Sequence, residues 1–271
     1  MFVIPAKAGI QFVKCSSKKR KNFLDPGLRR DDETKEKQLG ENQMFPLLTD
    51  FQLPDDFFQT AQKYLTGLAR LNESLNLISF ETEDVLWEHV VDSLQILRHP
   101  LEEETPRVID VGTGGGFPGI PLAIARPTWT VDLLDATQKK QLAVESLVKE
   151  MHLKNANTLW ARAEDLARTD QRESYTIALS RAVGRLSTVL ELTLPLVKQG
   201  GFCLLHRGLD TPAETQTIAH ALEVLGGRLH ASIPYRFPQH TADRFIVVVE
   251  KTHPTSSTHP RRPGLPAKRP L

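Results

Sequence analysis

The hydrophobic positions fall into two textures. From Leu53 to Leu71 they recur at helical spacing. Phe57, Phe58, Ala61, Tyr64, Leu65, Leu68 and Leu71 stand at i, i+3, i+4 and i+7 intervals, the stripe that one face of an α-helix buries. Pro54 suits the first turn, where its missing N–H costs nothing. "NESLNLISF" interrupts the stripe. A second helix is predicted from about Glu83 to Leu97, with Val85, Leu86, His89, Val90 and Leu94 on one face. "HPLEEETP" closes it, because Pro100 and Pro106 cannot continue a helix.

Beyond Pro106 the runs shorten. "RVIDVG", "TVDLLD", "NTLWARAE", "YTIALSRAV" and "GFCLLHRG" are brief and rich in β-branched and apolar residues, as buried strands are. Helical or loop segments separate the first four, and "KKQLAVESLVKEMH" and "LSTVLELTLPLVK" read as amphipathic helices. Strands alternating with helices make a βαβ series and a mostly parallel sheet. The end differs: "PAETQTIAHALEVLGG" reads as a helix, and "RLHASIPYRF" and "RFIVVVEK" follow as two strands only a few residues apart. A connection that short makes the pair antiparallel. The expected architecture is α/β: a doubly wound sheet ending in an antiparallel hairpin, behind an N-terminal helical addition. The addition takes residues 44–105 and the Rossmann-like core 106–252.

Composition and charge refine this picture at its ends. The chain has 271 residues, 40% of them hydrophobic, enough for one sizeable core. Residues 1–43 hold 10 Lys/Arg and 6 Asp/Glu with few large apolar side chains, a composition expected to stay disordered. "VIPAKAGIQ…LDPGLRRDDE" also resembles peptide encoded by repetitive intergenic DNA, so an extension ahead of a start at Met44 is expected. Residues 253–271 carry five prolines and four basic residues and read as a disordered basic tail. Between these ends the body is net acidic, with 27 Asp/Glu against 19 Lys/Arg over residues 44–250, which argues against a broad nucleic-acid surface without excluding a local basic patch. Two cysteines exclude a disulfide framework and a Cys-rich metal site. No apolar run reaches the roughly 18 residues of a membrane span. A cytoplasmic protein without metal or membrane is expected, and nothing demands a dimer.

The chemistry gathers at "VIDVGTGGGFPGIPLA", residues 108–123. The run follows a buried strand, at the end where open α/β sheets bind ligands. Gly114 to Gly119 has the spacing of a phosphate-binding P-loop, but Ile120 and Pro121 replace its Lys and Ser/Thr. Gly114, Gly116 and Gly119 formally fit the dinucleotide pattern, with Asp135 about 20 residues on, yet Pro118 and Pro121 interrupt the helix start that should face a pyrophosphate. A third reading begins at Asp110, with Gly112, Gly114 and Gly116 at every second position after it. This D-x-G-x-G-x-G is the pattern of S-adenosylmethionine-dependent methyltransferases. The ligand is a sulfonium zwitterion without phosphate, so an acid is wanted and a lysine is not. Glycines let the backbone approach it closely. Asp135 ends the second strand, where a carboxylate can accept from ribose hydroxyls, and Ala163-Glu164 is expected at the end of the third, within reach of adenine. Each acid taken singly also suits a helix cap.

"VIDVGTGGGFPGIPLA", with "WEHVVDSL" at 87–94 ahead of it and "LLDATQKK" at 133–140, "RAEDLA" at 162–167 and "SRAVG" at 180–184 behind it, resembles the bacterial 16S ribosomal RNA guanine-N7 methyltransferases. The likeness covers about Phe45 to Val249. It implies a class I methyltransferase fold, a seven-stranded Rossmann-like sheet with an antiparallel C-terminal hairpin. It implies S-adenosylmethionine as cofactor and 16S rRNA, naked or in the small subunit, as partner. Gly112, Phe117, Asp135, Ala163, Glu164 and Arg181 fall on the family's cofactor-contacting positions. Where many members have Lys-Gly after the fifth strand, this chain has His206-Arg207-Gly208. Arg181, at the end of the fourth strand, is expected to position cofactor or guanine. Asn76, His89 and Asp92 are expected to flank the substrate cleft, and Lys139, Lys140, Arg126, Arg185 and Arg207 to reach phosphates. Two other readings stay open at this point: a methyltransferase of a small metabolite, and a nucleotide-binding module without methyl transfer.

Overall fold

The computed structural model describes residues 45–181 and 183–271; the extension expected over residues 1–43 lies outside the described residues. Two helices come first, α1 (Phe57–Leu75) and α2 (Glu83–Leu94), the second running into a 3-10 turn at Gln95–Arg98. The α/β series follows as β1 (Arg107–Val111), α3 (Gly119–Ala125), β2 (Thr130–Asp135), α4 (Gln138–Glu150), β3 (Ala156–Trp160) and α5 (Ala163–Leu166). It continues as β4 (Tyr175–Arg181), α6 (Leu186–Thr193), β5 (Val197–Arg207), α7 (Thr211–Thr217), α8 (Ala219–Leu225), β6 (Gly227–Tyr235) and β7 (Arg244–Lys251).

The seven strands lie in the order β3-β2-β1-β4-β5-β7-β6. The first five pair in parallel, and β7 pairs antiparallel with both β5 and β6. This is the class I S-adenosylmethionine-dependent methyltransferase architecture, with the helical addition in front. Alternation along the strands builds two cores. Val108, Leu133, Leu179, Leu204 and Val248 face α1–α4, whereas Ile109, Leu134, Ala178, Leu205 and Val249 face α5, α6 and α8. The helical addition is therefore part of the main core: Phe57, Tyr64, Leu68 and Val90 are fully buried.

Two predicted helices are cut shorter. Pro195 ends the α6 segment in a 3-10 turn, and β5 starts at once at Val197. The helix expected over "PAETQTIAHALEVLGG" breaks at Ile218 into α7 and α8. The expectation for residues 253–271 is overturned. That segment folds back across α5 and α6 and ends in a short helix, α9 (Leu265–Lys268). Arg172 donates to the carbonyls of Thr255 and His259 at 2.7 and 2.9 Å, and Arg168 to that of Pro260. Arg261 makes a bidentate pair with the fully buried Glu191, its bonds 2.5–3.1 Å long. Gly264 N–H donates to Glu164 at 2.9 Å and Thr188 to the Pro266 carbonyl at 3.1 Å. Few apolar side chains take part. The segment is held through its carbonyls and one buried ion pair, which a count of hydrophobic positions does not register.

Candidate active site

The parallel strands reverse their order between β1 and β4, and their C-terminal ends splay there into a crevice. A cavity of about 410 Å³ opens at that point, walled by Leu77, Ile78, Gly112 to Gly115, Phe117, Asp135, Thr137, Lys140, Arg181 and Val183. The glycine run, the β2 acid and the β4 arginine thus share one wall.

The loop after β1 is shaped by its own residues. Gly112, Gly114 and Gly116 have φ of +79°, +58° and +105°, a region that residues with a Cβ rarely enter. Gly112 and Thr113 donate to the Leu134 carbonyl at 2.9 and 3.0 Å, stitching the loop to β2. Asp110 lies beneath the loop, fully buried. Its Oδ2 accepts from Thr113 Oγ1 at 2.7 Å and Gly119 N–H at 2.9 Å, while Oδ1 has no partner among the described residues. Burial pushes this carboxyl up to about 6, against the two hydrogen bonds that lower it. Asp110 therefore does not face the ligand as expected; it organises the loop from below. Gly119 is needed for that contact, because a Cβ there would stand 2.2 Å from Leu133 and 2.9 Å from Asp110 Oδ2.

Asp135 lines the cavity at the end of β2, with Oδ2 accepting from Gly114 N–H at 3.1 Å and Oδ1 from Thr137 N–H at 2.7 Å. The opposite rim comes from the helical addition. Asn72 clips the residue 78 backbone, donating to the Ile78 carbonyl and accepting from its N–H, both at 2.9 Å. Tyr64 OH reaches the Gly115 carbonyl at 2.8 Å, and burial holds its hydroxyl protonated well above the ordinary tyrosine range. Asn76, expected at the substrate, is instead an exposed left-handed residue closing α1. Asn72 is the asparagine that shapes the rim.

Arg181 leaves β4 with its guanidinium 4.7 Å from the Phe117 ring centre and 3.1 Å from Asp92 Oδ2. It also meets His89 Nδ1 at 3.4 Å. His89 Nε2 donates to the Ser79 carbonyl, so Nδ1 is free to accept; burial, then the Arg181 charge, push the imidazole toward its neutral form. Asp92 is the hub. It takes Tyr235 OH at 2.7 Å and Arg244 at 2.8 Å on Oδ1, and its backbone carbonyl accepts from His206 Nε2 at 2.8 Å. Burial alone would raise its carboxyl; the positive neighbours and the Tyr235 bond overcome this and hold it below the ordinary range. Asp92 therefore does not flank a substrate. It is 4% exposed with both oxygens taken, and it anchors Arg181. Tyr235 and Arg244 come from the C-terminal hairpin, remote in sequence, and no local motif pointed to them.

The remaining expectations divide. Lys140 lines the cavity, but Lys139 is exposed outside it. Arg126 caps α3 at the far end and donates to the Gln52 carbonyl at 2.7 Å. Arg207 is not free for a phosphate, since Glu214 holds it at 2.6 and 2.7 Å and it donates to the Gly184 carbonyl at 2.9 Å. Arg185 is exposed beside α6. Ala163 and Glu164 do not end β3, which stops at Trp160; they open α5, outside the cavity wall, with Glu164 bound to Gly264.

This arrangement fits a zwitterionic, phosphate-free ligand better than a pyrophosphate, with bare backbone on one side, a carboxylate beside it and a single lysine. Among known proteins, the family model for rRNA small subunit methyltransferase G matches residues 58–235. The chain belongs to this family. A relative named ribosomal RNA small subunit methyltransferase G, from Gloeobacter violaceus, is 42% identical over 202 residues, covering 74% of this chain and 80% of its own. One of the same name from Pelotomaculum thermopropionicum is 39% identical over 213 residues, covering 78% and 89%. Among solved structures, TYW2 of P. horikoshii in complex with MeSAdo superposes with a TM-score of 0.50 at 12% identity, covering 64% of each chain; that likeness concerns the fold alone. Membership in the methyltransferase G family gives the cavity its chemical class. Among the described residues no helix is long and apolar enough to cross a membrane, and no cluster of His, Cys, Asp and Glu could hold a metal ion.

Proposed function

We propose that this chain transfers the methyl group of S-adenosylmethionine to N7 of one guanine in 16S rRNA. The observation that carries the reading is the cavity at the β1/β4 reversal, walled by Gly112–Gly115 and Asp135, in a chain of the methyltransferase G family. The residues present suit the donor. Bare backbone at Gly112 to Gly115 would hold its amino-acid portion, the Asp135 carboxylate would hold its ribose hydroxyls, and the buried Asp110 would supply negative field for its cationic sulfur. Bound S-adenosylmethionine supplies a methyl group already activated on a sulfonium.

Guanine N7 offers a lone pair and carries no proton, so no side chain has to act as base. The protein's part is alignment, and well-oriented reactants gain an effective molarity on the order of 10⁵–10⁸ M. Arg181 suits that task because Phe117 and Asp92 hold its guanidinium from two sides. Guanine presents N7 and O6 as acceptors. A donor on N7 would block attack, so Arg181 is assigned to O6. The methylated ring becomes cationic, and Asp92 offsets the arginine charge it would otherwise face. In this reading the chain acts as a monomer, in the cytoplasm with its RNA.

The test is methyl transfer from labelled S-adenosylmethionine to 16S rRNA from cells lacking this protein, both naked and in small subunits. Label recovered as 7-methylguanine at one position is the expected result. Tight cofactor binding without label in either substrate would point to a small-molecule acceptor; no cofactor binding would overturn the assignment of the cavity. Asp135→Ala should weaken S-adenosylmethionine binding by about 1–3 kcal/mol, the scale of a lost hydrogen bond to a charged group. Unchanged affinity in calorimetry would remove Asp135 from the site.

A further inference from the structure

A second cavity, of about 320 Å³, lies one residue along the chain from the first. Val183 lines the active-site cavity, and Gly184 and Arg185 line this one together with Thr188, Ala267, Lys268 and Pro270. Half of its wall is thus the folded-back C-terminal segment. Both halves are anchored. Arg207 holds the Gly184 carbonyl at 2.9 Å and is itself clamped by Glu214. On the other side Thr188 holds the Pro266 carbonyl, and the Arg261–Glu191 pair fixes the start of the turn.

The two cations of this wall have no such structural employment. Arg185 and Lys268 are exposed and make no ion pair among the described residues. Arg262 and Arg269 are exposed on the same segment, and residues 253–271 contain no Asp or Glu. The body between residues 44 and 250 is net acidic, whereas this segment, docked on α5 and α6, adds Lys268 to a wall that already holds Arg185. Unpaired cations around a hollow, with no acid in its wall, suit a polyanion, and a strand entering the neighbouring active site carries phosphates past this point.

We propose that Arg185 and Lys268 form a phosphate-binding site for the rRNA strand that carries the target guanine, with the C-terminal segment as one jaw. This inference rests on the methyl transfer assigned above. Such contacts position the strand and carry no sequence information. They make affinity depend on salt, with a slope of about 0.7–0.9 per phosphate contact.

The test compares wild type with Arg185→Gln/Lys268→Gln, using protein-free 16S rRNA from cells lacking this protein. Binding is measured across about 50–200 mM salt, transfer is measured alongside, and S-adenosylmethionine affinity is read by calorimetry. The double variant should show a salt slope smaller by about 1.5 and a KM for RNA roughly tenfold higher, with cofactor affinity and kcat unchanged. Lys268→Arg should restore most of the slope when Lys268 alone has been changed. An unchanged slope and KM would overturn the site while leaving the methyltransferase reading intact. A defect seen with small subunits but not with naked RNA would also overturn it, in favour of a ribosomal protein contact. A wild-type protein that methylates no RNA would instead overturn the function on which the inference stands. Should the double variant misfold, Lys268→Gln alone, at an exposed residue without a partner, carries the comparison.

Discussion

Asp92 and Asp110 are both buried carboxylates, and their surroundings drive them in opposite directions. Asp110 has one oxygen without a partner among the described residues and a carboxyl pushed up to about 6 by burial. Between the unfolded value of about 3.9 and that value, the native state binds the extra proton, so this group makes stability fall as pH rises from about 4 to about 6. That displacement corresponds to about 3 kcal/mol. Asp110→Asn removes the slope; urea unfolding from pH 4 to 8 should show the variant gaining about that much on wild type. A constant difference across the range would mean that Asp110 is already ionised at pH 4. Asp92 has the opposite sign. Its depressed folded value contributes stability that is complete above about pH 4 and is lost as pH falls through the folded value. Asp92→Asn strips Arg181 and Arg244 of their carboxylate, at a cost of about 3–5 kcal/mol near neutrality, and the deficit should shrink below about pH 4. An equal deficit at all pH values would show that packing, and not charge, is what Asp92 supplies.

At the scale of elements, the strand that ends in a glycine loop was legible, and its partners were less so. Brief runs rich in apolar and β-branched residues marked all seven strands, and the short step from Tyr235 to Arg244 marked the antiparallel pair, because those signals are local. The loop's relation to Asp110 is not legible locally. A strand-end acid before glycines looks like a ligand contact, but the peptide turn brings Gly119 over it and closes it off from the cavity. That closure depends on the missing side chain. Gly119→Ala would force a Cβ to 2.2 Å from Leu133, and such overpacking costs about 1–3 kcal/mol. Because the displaced atoms include the Asp110–Gly119 hydrogen bond, cofactor affinity should fall together with the thermal midpoint. A variant as stable as wild type with full affinity would show that the loop can shift without losing its shape. Asn72 and Arg207 failed for a different reason. One of several asparagines near "LNLIS" clips the rim, and a strand-end arginine turns inward to Glu214; both choices depend on tertiary neighbours that the local pattern does not contain.

The whole molecule is closed by a segment whose composition argued for disorder. Five prolines and few apolar residues cannot build a core of their own, yet residues 253–271 need none, because Arg168 and Arg172 in the loop after α5 donate to their carbonyls and Glu191 on α6 takes Arg261. The docking is polar and asymmetric. The Glu191 side chain is wholly inaccessible, whereas that of Arg261 keeps 22% of its surface in solvent. Removing the arginine leaves a carboxylate buried without a partner; neutralising the glutamate leaves a guanidinium that can turn toward water. Arg261→Ala should therefore cost about 3–5 kcal/mol, the penalty of breaking a buried pair from its exposed side, and Glu191→Gln distinctly less. In Arg261→Ala the unpaired carboxylate should drive the segment to undock, whereas Glu191→Gln should keep it in place, and trypsin should cut the former after Lys268 well before the body of the protein is attacked. Equal costs for the two variants would mean that the segment stays in place and water reaches Glu191. A segment that resists protease in Arg261→Ala would shift the anchorage to the carbonyl bonds of Arg168 and Arg172. In the undocked state Lys268 leaves Arg185, so Arg261→Ala should also lower the salt slope of RNA binding, by about one phosphate contact, while Glu191→Gln keeps it, which ties the stability of this segment to the grip on substrate.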